Sequence, residues 1–189
     1  VNANDLLTNV DGLSNLMSVG SLTIGGSLLS DLGGLAHFTS LSGSLSIEGT
    51  PLTSLVAFSN LTEVGELSLL YNDSLTSLDG LQNVTSVGGT LNIHGNDSLT
   101  SLDGLQNVTS VGGTLYIYGN DSLTSLNGLQ NLAELGGLKI YYTVSLTSLD
   151  ELSNLTGLGY LWIDDNAALT NLDGLSNLTE VNDVRLEEN

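Results

Sequence analysis

Residues 75–98 and 99–122 are the same 24-residue stretch written twice with two letters changed. The first copy reads LTSLDGLQNVTSVGGTLNIHGNDS and the second LTSLDGLQNVTSVGGTLYIYGNDS, so Asn92 becomes Tyr116 and His94 becomes Tyr118. A tandem repeat of this period excludes most globular folds, because each unit buries its apolar side against its neighbours rather than in one shared core. The two letters free to differ alternate with Leu and Ile in a short run that reads as a β-strand. They therefore point away from the core, towards solvent or a ligand.

The period extends along the whole chain. Aligned on the Leu that opens each LTSL, units start at Leu7, Leu29, Leu52, Leu75, Leu99, Leu123, Leu146 and Leu169, giving about eight rungs of 22–24 residues. The shared pattern is L-T-S-L-D-G-L-x-N-[LV]-T-x-V-G-G-(T)-L-x-I-x-x-N-x-x, with the extra letter of the longest rungs at Thr90 and Thr114. The L-x-I pairs (Leu91/Ile93, Leu115/Ile117, Leu138/Ile140, Leu161/Ile163) predict one strand per rung. Stacked about 4.8 Å apart, these strands would form one parallel sheet. The period-three run Leu75, Leu78, Leu81, Val84, Val87 is too tight for a long α-helix and predicts turns or 3-10 pieces opposite the sheet.

Polar letters recur in phase as well. The paired glycines Gly88-Gly89, Gly112-Gly113 and Gly136-Gly137 are expected to bend the chain back into the sheet at positive φ. Asp79-Gly80, Asp103-Gly104 and Asp173-Gly174 read as turn pairs. Asn72, Asn96, Asn120, Asn166 and Asn189 share one column with Asn4, interrupted by Thr143 and replaced by Gly26 and Gly49 in the early rungs. Turned inward, their amides would bond the backbone of neighbouring rungs in a ladder. A second column holds Asn15, Asn60, Asn83, Asn107, Asn131, Asn154 and Asn177, interrupted by His37.

With these residues in view, the chain resembles the leucine-rich repeat proteins. The order L-x-I-x-x-N-x-x-L-x-x-L matches that family's strand-and-Asn signature, and the G-L-x-N-[LV]-T-x-V-G-G half resembles its receptor L-domain-like, bacterial surface type. The resemblance covers Leu7 to Asn189 and implies a mainly β solenoid of one domain, residues 1–189, carrying a recognition surface whose target is left open. The chain lacks the cysteine-capped ends of receptor L domains and shows no polar capping rung, so it reads as part of a longer array or as a unit whose ends stack on another copy.

Charge narrows the partners. With 21 acids against two cations, Lys139 and Arg185, the net charge of −19 makes nucleic acid or an anionic membrane a poor target. No apolar run approaches the roughly 18 residues of a membrane helix, so membrane insertion is not expected. The absence of cysteine removes disulfides and thiol chemistry. A secreted or cell-surface location is the expectation.

The outward strand letters supply the candidate site. Across the rungs they read Thr23, Ser46, Ser68, Asn92, Tyr116, Lys139, Trp162, Arg185 in one column and Gly25, Glu48, Leu70, His94, Tyr118, Tyr141, Asp164, Glu187 in the other. Tyr71 and Tyr142 follow at the strand exit. Asn92, His94, Tyr116, Tyr118, Lys139, Tyr141, Trp162, Asp164 and Arg185 are the expected ligand-binding residues, an aromatic platform with polar edges suited to a sugar ring or a protein hot spot. A plainer account is that outward Tyr and Trp favour strands and cover their neighbours.

Three other features compete. Thr53, Thr76, Thr100, Thr124, Thr147 and Thr170 form a regular hydroxyl column of the sort an ice-binding solenoid would use, although such residues also fill tight corners by bonding local backbone. Asp73, Asp97 and Asp121 recur at one turn, but no rung offers the dense ligand spacing of a cation cage, so no metal site is expected. The N-x-S/T sequons follow from the repeat itself. Catalysis finds no support: His37 and His94 occupy different columns, there is no nucleophile elbow, and no cofactor motif occurs. The expected function is non-catalytic recognition or adhesion, binding a protein or glycan, with end-to-end self-association of solenoids as a second kind of contact.

Overall fold

The structure is a computed structural model that describes residues 6–26 and 28–189. Its strands are β1 (Leu22–Gly25), β2 (Ser40–Glu48), β3 (Glu63–Leu70), β4 (Ser86–Val87), β5 (Leu91–His94), β6 (Ser110–Tyr118), β7 (Glu134–Tyr141), β8 (Gly157–Asp164) and β9 (Glu180–Glu187). All join one parallel sheet of nine strands, in which β4 and β5 share a rung between β3 and β6. The chain is a mainly β parallel solenoid of about seven turns linking these stacked rungs.

Opposite the sheet, the period-three leucines bend through single 3-10 turns at Asp11–Leu13, Gly33–Leu35, Val56–Phe58, Asp103–Leu105, Asp150–Leu152 and Asp173–Leu175. Two rungs turn differently. Gly80 (φ 114°) and Gly128 (φ 109°) adopt positive φ, and the carbonyls of Asp79 and Asn127 accept the N–H of Leu55 and Leu102 one rung back, at 2.8 and 2.7 Å. The freed Gly80 and Gly128 N–H groups donate to the side chains of Gln82 and Gln130.

One rung shows how the core is made. Leu99, Leu102, Leu105, Val108, Val111, Leu115 and Ile117 are all fully buried, and they belong to one hydrophobic cluster that runs through the rungs. Burial of such side chains contributes about 1.5–3 kcal/mol apiece before the entropy of ordering the chain is subtracted. At the last strand, Val184 and Leu186 remain about half exposed.

The buried asparagines form the expected ladder. Asn72, Asn96, Asn120 and Asn166 are fully buried, and their Nδ2 groups donate to the carbonyls of Ile47, Leu69, Ile93 and Ile140 in the preceding rung at 2.9–3.0 Å. Their Oδ1 atoms accept backbone N–H groups, Thr50 to Asn72 and Asn72 to Asn96 among them. Thr143 interrupts the amides, as expected, and its hydroxyl donates to the Tyr141 carbonyl. The early phase differs from expectation: Thr50, buried and bonded to Asn72 Oδ1 at 2.7 Å, occupies the ladder where Gly49 was placed. That rung lacks one residue after its strand, so the ladder slot moves one closer to the next Leu. Asn4 lies outside the described residues.

Two exposed polar columns tie the outer corner. Asn60, Asn83, Asn107, Asn131, Asn154 and Asn177 each reach one rung back, Nδ2 donating to a carbonyl at 2.7–2.8 Å. At His37, which interrupts this column, the ring nitrogen meets the Leu16 carbonyl instead. Beside them Thr62, Thr85, Thr109 and Thr179 donate both N–H and hydroxyl to the preceding threonine carbonyl.

The paired glycines correct a sequence expectation. None of Gly88-Gly89, Gly112-Gly113 or Gly136-Gly137 has positive φ. Close backbone approach excludes a side chain at part of this column: a Cβ on Gly112 would lie 2.3 Å from the Gly88 carbonyl oxygen, and one on Gly136 2.6 Å from that of Gly113, whereas one on Gly88 would meet only ordinary contacts.

Candidate functional site

Strand register carries the outward letters into two unbroken columns. Thr23, Ser46, Ser68, Asn92, Tyr116, Lys139, Trp162 and Arg185 are partners rung by rung, and so are Gly25, Glu48, Leu70, His94, Tyr118, Tyr141, Asp164 and Glu187. Period-two alternation makes this automatic, since a slip of one residue would turn Leu115 and Ile117 outward.

The aromatic letters meet in a continuous set. Ring centroids lie 4.5 Å apart for Tyr71–His94 and His94–Tyr118, 5.3 Å for Tyr118–Tyr142, 6.1 Å for Tyr116–Tyr118 and 5.9 Å for Tyr116–Tyr141. Every interplanar angle in the set falls between 40° and 74°, so no two rings stack face to face. Tyr71 and Tyr142 flank the row from opposite ends in the left-handed region, with φ of 55° and 51°. Equivalent exits at Gly49, Gly95 and Gly119 use glycine. Asp165 and Glu188 take the same conformation at their exits, so the turn imposes it at a cost of about 1 kcal/mol or more for a non-glycine residue. Tyr71 leans over Gly95, where an added Cβ would fall 2.8 Å from its ring.

A groove of about 520 Å³ opens on this face, lined by Thr90, Thr114, Tyr116, Tyr118, Lys139, Tyr141, Tyr142, Asp164 and Arg185. Six of the expected ligand-binding residues therefore line it: Tyr116, Tyr118, Lys139, Tyr141, Asp164 and Arg185. Asn92, His94 and Trp162 belong to the same columns but stand outside the lining. Trp162 is engaged elsewhere, its Nε1 donating to Asp183 at 2.8 Å while Lys139 Nζ sits 3.9 Å from its ring centroid. Asn92 keeps its Oδ1 buried without a partner.

Sequence reasoning missed Tyr160. It stands two residues before Trp162, outward by the same alternation, and lies across Gly137 with its hydroxyl bonded to Thr114. A Cβ at Gly137 would lie 2.4 Å from that ring. Lys139 Nζ is 5.1 Å from the Tyr160 centroid, so the ammonium rests against two aromatic faces. The available signal was that alternation, extended one step earlier along the strand.

Electrostatics complete the picture. Arg185 donates to Glu187 at 2.8 Å and approaches Asp164 at 3.5 Å, and the hydrogen bond to Glu187 is the main reason its pKa is raised. Burial pushes the Tyr116 and Tyr141 phenols up, so both are neutral donors at physiological pH. Burial lowers His94, which favours its uncharged form between the two tyrosine rings.

All six threonines of the LTSL column are exposed, but the Thr76 and Thr147 hydroxyls donate to the Thr53 and Thr124 carbonyls one rung back. Among the described residues no group of three His, Asp or Glu side chains is placed to hold a metal ion. In the aspartate column, the Asp97 carboxyl is raised first by burial and then by Asp121 and Asp73. Asp97 therefore takes up its proton more readily in the folded chain than in the unfolded one, and its charge costs stability above the folded pKa. That cost fades as pH falls through the folded pKa and is gone below the ordinary aspartate value. Asp97→Asn is accordingly expected to raise the melting temperature at pH 7 and to leave it unchanged near about pH 3. Calorimetry at both pH values checks this, and an equal shift at both would contradict it.

Fold and face together define a parallel β-solenoid with a constant framework and one variable sheet face. No protein-family model matches the sequence, and no curated protein matches it. Among the described residues no helix is long and apolar enough to cross a membrane.

Proposed function

We propose that the chain is a non-catalytic recognition module of leucine-rich repeat type, from a secreted or cell-surface protein, that binds a partner through the groove on its outer sheet face. The observation that carries this reading is the coincidence of that groove with the letters that vary between otherwise repeated rungs. Both cations of the chain and the ring set from Tyr116 to Tyr142 lie there, on a scaffold whose core letters barely change. A groove of about 520 Å³ falls within the range of small-ligand sites.

Tyr116→Ala combined with Tyr141→Ala tests the assignment. Both side chains point outward and neither enters the solenoid core, so unfolding stability should change by about 1 kcal/mol or less. Binding of the full chain to arrayed glycans and extracellular proteins should be lost. Retention of wild-type binding by the double variant would remove the groove as the site.

A further inference from the structure

Resting on that reading, we propose that the groove takes a neutral, hydroxyl-rich ligand, about one or two sugar rings of an uncharged glycan. Charge decides between ligand classes here. An anion would approach a chain of net charge −19 and meet two cations offset by Asp164 in the lining and by Glu187 beside it. Lys139 lies on the Trp162 and Tyr160 rings, and Arg185 is held by Glu187 and Asp164. A cation would be drawn by the overall field but would meet those same two positive groups in the groove wall. Neither sign of charge is favoured at the point of contact.

The groove chemistry suits an uncharged polyol. Tyr116, Tyr118, Tyr141 and Tyr142 present rings that are tilted or edge-on to one another, which leaves faces for the apolar side of a sugar. Asp164 and Arg185 stand side by side at 3.5 Å, an acceptor and a donor spaced to meet neighbouring hydroxyls. The neutral phenols add donors at the rim.

The full chain is tested against neutral oligosaccharides, uronate- and sialic-acid-bearing glycans, and arrayed proteins and peptides, with calorimetric titration of any hit. The expected result is binding to a neutral oligosaccharide whose affinity stays within about twofold between about 0.05 and 0.5 M salt, since screening leaves an uncharged ligand untouched. That affinity should fall at least about tenfold in the Tyr116→Ala, Tyr141→Ala variant. If the double variant fails to fold, Tyr141→Gln alone should lower affinity in the same direction. Binding confined to acidic glycans or to proteins, or affinity that collapses with salt, overturns the neutral-sugar proposal while sparing the recognition reading if the tyrosine variants abolish it. Neutral-sugar binding that the tyrosine variants do not alter overturns both. No binding to any neutral oligosaccharide overturns the proposal.

Discussion

Asn96→Ala is expected to lower unfolding stability by about 3 kcal/mol or more. The amide is fully buried and sits at a crossing of rungs. Its Nδ2 donates to the carbonyls of Leu69 and His94, and its Oδ1 accepts the backbone N–H of Asn72. Truncation leaves the Asn72 N–H without its partner and strips the Leu69 carbonyl of its side-chain donor in a dry interior, and an orphaned buried group costs about 1–3 kcal/mol. Asn83→Ala is the control. Asn83 also reaches one rung back, to the Ser59 carbonyl at 2.7 Å, but it is exposed and water can replace it, so about 1 kcal/mol is expected. Chemical denaturation of the two variants separates them, and equal losses would show that burial does not set the ladder's contribution.

Gly128→Ala is expected to cost about 3 kcal/mol or more, whereas Gly119→Ala should cost only about 1 kcal/mol. Both glycines have positive φ, 109° and 56°, so conformation alone predicts a penalty for each. The difference is space. A Cβ on Gly128 would lie 1.9 Å from the Leu102 carbonyl oxygen, while one on Gly119 would meet nothing within 4 Å. Switching the Gly128 turn to the 3-10 form gives no escape. In rungs that use that form, a Cβ on Gly104 or Gly174 would still fall 2.1 or 1.9 Å from the carbonyl one rung back. The rungs would have to separate, which breaks leucine packing on both sides. Thermal melts of the two variants check the ranking, and a Gly128→Ala melt matching that of Gly119→Ala would contradict it.

Much of this framework was legible in the letters because the repeat states its rule several times over. The alternation of Leu91, Asn92, Ile93 and His94 fixes which side chains face out, and repetition carries the same register into the Tyr116, Lys139 and Trp162 rungs. The buried amides were legible for the same reason. What the sequence hid were properties of contact between rungs. Spacing alone put Gly49 in the ladder, although Thr50 alone can supply a hydroxyl to Asn72. The glycine pairs read as conformational, whereas the Gly112–Gly88 and Gly136–Gly113 approaches make the requirement at Gly112 and Gly136 steric. The threonine column from Thr62 to Thr179 passed as part of a sequon, because a one-rung-back bond has no local signature. At the candidate site, Trp162 read as an open platform until Lys139 and Asp183 were found on it. The groove itself depends on how Tyr141, Tyr142 and Arg185 lean, which composition does not specify.

The central claim is a division of labour, in which constant letters hold the solenoid and variable outward letters serve its surface. The most direct measurement is the unfolding midpoint of Asn92→Tyr with His94→Tyr, which makes residues 75–98 identical to 99–122. Both side chains stand on the outer face, so a stability change within about 1 kcal/mol is predicted. A loss comparable to that of Asn96→Ala would mean that the variable letters belong to the framework, and the claim would fail.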